Sequence, residues 1–256
     1  MHDKERLELL IAPFFYLLNG MPEYLGLEQK HSVENELFSE IVEKLLTIGS
    51  QKHLNRVGVH LRNETNTQSS LARYLEECGF KHHSNSIEYV KNLSEEFEFH
   101  PDFSYYTLKD GKFTEKEFKG LWERVMQNSL NKRSTISMEG HLSSVKNELG
   151  SHWKHNCGVF YMQNRPIAVC IPHIEPGTED EGRLFYFGLL PEERGKGYAS
   201  KLHNDSLYLL KKMGASYYIG STHESNKAMQ KLFTRSGCKE NARKSSYYYY
   251  FSFKKG

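Results

Sequence analysis

Four consecutive residues, Arg194, Gly195, Lys196 and Gly197, place two cations and two glycines immediately before a long amphipathic stretch. They follow an apolar run over residues 184–190 and a Pro191-Glu192-Glu193 turn. Successive backbone N–H groups at a helix N-terminus, with no Cβ in the way, form a nest for an anion. Arg194 and Lys196 add positive charge beside it. The chemistry such a turn supports is the binding of a phosphate or pyrophosphate, although a glycine-rich turn can equally join strand to helix and bind nothing. His223 and Glu224 stand just past a second apolar run, residues 216–220, and are candidates for a general base. A solvated turn is the other reading of that pair. His152-Trp153-Lys154-His155-Asn156-Cys157 holds three potential ligands. No second cluster stands at a spacing that would close a tetrahedral site, so no metal is expected.

The elements that must hold these residues can be read around them. Thr114 and Glu117 have capping-box spacing before Phe118, Leu121, Trp122, Val125 and Met126, which recur at helical period. A second helix is expected over 138–149, stopped at Gly150. Strands are expected over 158–162 and 167–171, joined by a hairpin turn at Asn164-Arg165-Pro166, and a third over 184–190. A helix from residue 201 to Gly214, a strand at 216–220, a helix stopped at Gly237-Cys238 and a strand over 247–253 complete an order ααβββαβαβ. Residues 40–93 show the same helix–strand–helix–strand order, with stops at Gly49 and Gly79 and strands at 56–61 and 87–90. The two stretches read as two copies of one unit.

Composition sets outer bounds. The chain has 256 residues, of which 38% are hydrophobic and 26% charged, enough apolar material for two packed domains. A formal net charge of +2 argues against a dedicated nucleic-acid binder. The apolar run over 9–18, broken by Pro13, is too short to cross a bilayer. It is read as one buried helix, with a signal peptide as the alternative. Cys78, Cys157, Cys170 and Cys238 are scattered, which fits a reducing, cytoplasmic compartment without membrane association.

Arg194-x-x-Gly197-x-Ala199 after an apolar strand closely resembles the (Q/R)-x-x-G-x-(G/A) signature of the GNAT N-acetyltransferase superfamily. Asn226, Leu232 and Gly237-Cys238 resemble that family's N-x-x-A-x-x-L-Y-x-x-x-G-F segment. The resemblance implies a mixed α/β fold, here a tandem one. Residues 1–97 would be a degenerate GNAT-like domain without the pyrophosphate loop, and 101–256 the catalytic domain. In the first copy Asn66 or Gln68 could stand where Asn226 does.

The resemblance further implies that acetyl-CoA binds as co-substrate. Its pantetheine arm would lie on Gly188, Leu189 and Leu190. Its pyrophosphate would lie on the amides of Gly195, Lys196, Gly197, Tyr198, Ala199 and Ser200, with Arg194, Asn226 and Phe233 nearby. A primary amine of a small molecule or peptide would then attack the thioester directly, and His223 or Glu224 would take its proton. The chain departs from the family at Phe233, where a tyrosine often protonates the leaving thiolate, and at Met229, where alanine is usual. Tyr198 and the tyrosines at 247–250 are other sources of a hydroxyl. A module that holds acyl-CoA without turnover is therefore the alternative function.

Overall fold

Separate apolar clusters organise the chain, whose computed structural model describes residues 3–21, 23–63, 67–94, 99–130 and 136–252. In chain order the first elements are α1 (Asp3–Ile11), β1 (Phe15–Gly20), β2 (Tyr24–Gln29), α2 (Asn35–Gln51), β3 (Arg56–Arg62), α3 (Thr67–Glu77) and β4 (Lys81–Asn92). Next come β5 (Ser104–Thr107), α4 (Glu115–Met126), α5 (Met138–Leu149), β6 (Gly158–Met162), β7 (Arg165–Ile174) and β8 (Glu181–Leu189). The last are α6 (Tyr198–Lys212), β9 (Tyr217–His223), α7 (Lys227–Arg235) and β10 (Lys239–Tyr250). Contacts group Met1–Ile87 with Ala242–Gly256 in one unit and Glu88–Asn241 in another.

In the first unit β1 pairs antiparallel with β2, β2 parallel with β3, and β3 antiparallel with β10. The apolar run at 9–18, expected as a single helix, is divided between α1 and β1. Pro13 disfavours helical backbone at the residue before it. Beyond the turn, Phe15 and Leu17 find strand partners in Gln29 and Leu27. Gly49 is not a helix stop either, since α2 runs through it to Gln51. A Cβ there would sit 2.6 Å from Phe251 and 2.8 Å from Val57, so this glycine lets the helix approach the sheet closely. Phe38, Ile41 and Leu45 of α2 bury against Leu25, Leu27, Val57 and Val59 of the sheet. Asn66 and the Gln68 side chain lie outside the described residues.

In the second unit β5, β6, β7 and β8 pair antiparallel in sequence, and β9 joins β8 in parallel. The sequence had not signalled β5. The capping box at Thr114 and Glu117 forms as expected, and Ser137 caps α5. The β6–β7 hairpin turns one residue earlier than expected. Gln163 and Asn164 take the two positive-φ positions, and Pro166 already lies in β7 opposite Tyr161. The final strand is longer than expected at its start, beginning at Lys239 straight after the left-handed Gly237, while Phe253 lies outside the described residues. In chain order β1 to β4 and β7 to β10 each run strand–strand–helix–strand–helix–strand, with a parallel pair, β2–β3 or β8–β9, at the centre of each repeat.

Candidate active site

The parallel pairing of β8 with β9 spans only Glu181, Gly182 and Arg183, opposite Tyr217, Tyr218 and Ile219. Beyond Arg183 the strands part, and among the described residues β8 keeps β7 as its only ladder partner. An open strand edge therefore leads from the middle of the sheet to a short turn at Pro191–Glu193. Gly195 and Gly197 follow at φ +77° and +81°, a backbone that side-chain-bearing residues rarely adopt, and α6 starts at once. Nothing lies within 4 Å of where a Cβ would stand at either glycine. The first amides of α6 have no intrahelical acceptor, so the turn offers N–H groups to open space.

A cleft of about 480 Å³ occupies this corner. Its walls include Gly188, Leu189, Arg194, Gly195, Gly197, Tyr198, Ala199, Ser200 and Asn226, all expected from the sequence. They also include Tyr186, Phe187 and Met229, together with Asn128, Ser129 and Leu130 from the segment after α4, which were not.

The two cations hold the turn as well as flanking it. Arg194 Nε donates to Leu189 O at 3.1 Å, and its Nη2 donates to Val125 O at 2.9 Å. Nη1 donates to the carbonyls of Gln127 and Asn128 at 2.9 and 3.2 Å. The guanidinium thus caps the C-terminal end of α4, where unsatisfied carbonyls and the helix dipole favour a cation, and ties that end to the end of β8. Lys196 Nζ lies 3.0 Å from Glu193 Oε2, a carboxylate only 1% exposed that also meets Arg165.

The remaining expected residues are dispersed. Leu190 is buried in the apolar cluster of α4 and α5. Phe233 is buried within an aromatic group, its ring 4.8 Å from Tyr89 and 5.6 Å from His203, and is absent from the cleft walls. Asn226 caps α7 by accepting from Met229 N. His223 is the last residue of β9, and its Nδ1 accepts from Ser225 N at 3.1 Å, so the neutral ring carries its hydrogen on Nε2. Neither His223 nor Glu224 is among the cleft walls. Glu148, His173 and Glu175 bring ligand atoms within 4.8 Å of one another, a grouping the sequence did not signal. Arg183 Nε lies 3.3 Å from Glu175, so the cluster already contains its own cation.

Tyr186 is the wall residue the sequence hid most effectively. A ladder irregularity sets Ile171 opposite Tyr186 and Pro172 opposite Leu184, leaving Phe185 without a counterpart. Phe185 and Tyr186 both pack on the cluster that contains Trp122. Alternation alone would send them to opposite faces.

The sequence model of the acetyltransferase (GNAT) family matches residues 124–238. No curated protein matches the sequence. Among solved structures the chain is similar to a GCN5-related N-acetyltransferase from Sphaerobacter thermophilus, with TM-score 0.60 and 15% identity over 92% of this chain and 76% of that one. A GCN5-related N-acetyltransferase from Kribbella flavida gives TM-score 0.59 and 12% identity over 96% and 93%. A tandem GNAT protein from the clavulanic acid biosynthesis pathway gives 0.57 and 10% over 93% and 79%. Those identities carry the fold alone, and the sequence match adds the family over the stretch that holds the cleft. Residues 124–238 match the acetyltransferase (GNAT) family, within a chain that has the fold of GNAT proteins.

Proposed function

We propose that this chain transfers the acetyl group of acetyl-CoA to a primary amine of a small molecule or peptide, by direct attack in a ternary complex. One observation carries the reading: the open β8 edge runs straight into a glycine turn and a helix N-terminus along a single cleft. A pantetheine arm needs an unpaired strand edge, and a pyrophosphate needs converging amides. Here the two lie end to end. GNAT chemistry in general is acyl transfer from acyl-CoA, and acetyl as the acyl group is part of the proposal. The catalysis is assigned to residues 101–256, with residues 1–97 as a companion domain that binds no nucleotide. No helix among the described residues is long and apolar enough to cross a membrane.

The test is thiol release from acetyl-CoA with a panel of amines, run beside calorimetry. Wild type should bind acetyl-CoA and release thiol with at least one amine. In Gly197→Val a β-branched residue is forced into left-handed backbone, and its side chain enters the space the phosphates would take. Affinity should fall by at least about tenfold, the equivalent of roughly 1.4 kcal/mol. Unchanged affinity in that variant would remove the turn from the site. A second reading, a module that holds acyl-CoA without turnover, is favoured by one feature: Phe233 is buried and His223 and Glu224 are not cleft walls. Binding with no thiol release from any amine would select it.

A further inference from the structure

The bulge at Phe185 turns Tyr186 onto the Trp122 side of β8, with the two ring centroids 5.5 Å apart. Bulges commonly re-aim a side chain beside a functional site. From there the phenol reaches along the strand over Gly188. A Cβ at Gly188 would lie 3.0 Å from Tyr186 Cε1 and 3.3 Å from Tyr186 Oη. The missing side chain at Gly188 is therefore what leaves room for the hydroxyl, and Gly188 belongs to the strand edge on which the acyl donor is read to lie. Among the described residues Tyr186 Oη has no hydrogen-bond partner, and Tyr186 is a wall of the cleft.

We propose that the Tyr186 hydroxyl donates a hydrogen bond to the thioester carbonyl oxygen of the acyl donor and stabilises the oxyanion that forms there. The inference rests on the transferase reading above. The amine lone pair forms the C–N bond while the carbonyl π pair moves onto oxygen, where the phenol O–H meets it. Collapse re-forms the carbonyl and breaks the C–S bond. The pair leaves on sulfur as CoA thiolate, and the ammonium proton passes to water or a base. Tyr186 keeps its own proton throughout. Its surroundings suit that part, because burial pushes the phenol up to about 12 even with Arg194 nearby. A phenol held protonated is a hydrogen-bond donor across the working range and a poor base.

The test compares wild type with Tyr186→Phe in the full chain, using acetyl-CoA and the amine that gives the highest thiol release. The ring and its contact with Trp122 remain, so the fold should hold, while the loss of one hydrogen bond should weaken acetyl-CoA binding by no more than about tenfold. kcat should fall about 10- to 100-fold, somewhat less than a typical oxyanion donor because water can enter in its place. In the infrared spectrum of bound acetyl-CoA labelled at the carbonyl carbon, the thioester band should move to higher frequency in the variant. A kcat within twofold of wild type together with an unmoved band overturns the assignment of Tyr186 and leaves the transferase reading intact. Binding without turnover in the wild type overturns the transferase reading, and an unmoved band then overturns the Tyr186 contact as well. Gly188→Ala, whose methyl crowds the phenol, should lower kcat in wild type and add little to Tyr186→Phe, because both changes act on one contact.

Discussion

At the level of single residues, left-handed glycines at 195 and 197 keep the mouth of the α6 N-terminus free of Cβ atoms, while the missing side chain at Gly188 makes room for the Tyr186 ring. Hydrogen-bonding side chains then remain to do the polar work, and they are few. His223 is one candidate, standing at the end of β9 with its Nδ1 accepting from the Ser225 amide, so that a proton it takes up goes to that nitrogen. If it is the base for the acceptor amine, His223→Ala should lower kcat/KM by at least about tenfold, at the low end of what a general base contributes. The rising limb of the pH–rate profile should disappear with the imidazole. Full activity with an unaltered profile in the variant would take His223 out of the mechanism and leave Glu224 or water.

Helix α6 links the site to the interior at the level of elements. Its N-terminus supplies the amides of the cleft, while its buried face carries His203 and Asp205. His203 Nδ1 lies 2.9 Å from Ser236 Oγ, its Nε2 has no partner, and burial pushes it down to about 3. The folded state therefore holds His203 neutral over a range in which the unfolded chain protonates it. Between about pH 6.5 and 3 the unfolded state binds more protons, so stability falls as pH falls through that window. Asp205 acts with the opposite sign. Burial raises its carboxyl from 3.8 to about 6, so its contribution weakens stability as pH rises from about 4 to 6. The histidine shift is the larger and corresponds to the order of 3–5 kcal/mol. In His203→Phe, which keeps an aromatic ring beside Phe187, Tyr218 and Phe233, urea midpoints should depend less steeply on pH between 6.5 and 3. An equally steep loss in the variant would place the acid sensitivity elsewhere, His60 being the next candidate because burial pushes it down to about 4.

Taken as a whole, the molecule repeats one arrangement of strands and helices, and only the second copy carries the glycine turn. The junction between β2 and α2, in the place of the β8–α6 turn, reads Lys30-His31-Ser32-Val33-Glu34 and contains no glycine. Glu34 stands at the N-cap of α2 and adds a negative charge beside the amides that a phosphate would need. Titration calorimetry should accordingly find one acetyl-CoA per chain, weakened at least about tenfold in Gly197→Val; a site of unchanged affinity in that variant would place a nucleotide in the first unit. Much of this was legible in the linear sequence because its causes are local. A glycine at a left-handed position, a cap three residues from its partner and a helical apolar stripe act within a turn or two of chain, so the α4 cap, the glycine turn and the repeat could be read directly. The division of the 9–18 run depended on strand partners eight to fourteen residues away. Arg194, which composition marks as a phosphate ligand, closes instead on carbonyls 66 to 69 residues earlier. The aim of Tyr186 rests on an irregularity between two strands, and the burial of Phe233 on a ring from β4. The sequence by itself determined which turn is fit to hold an anion; the tertiary structure decided which side chains surround it, because sheet pairing and packing join residues whose types carry no mark of their partners.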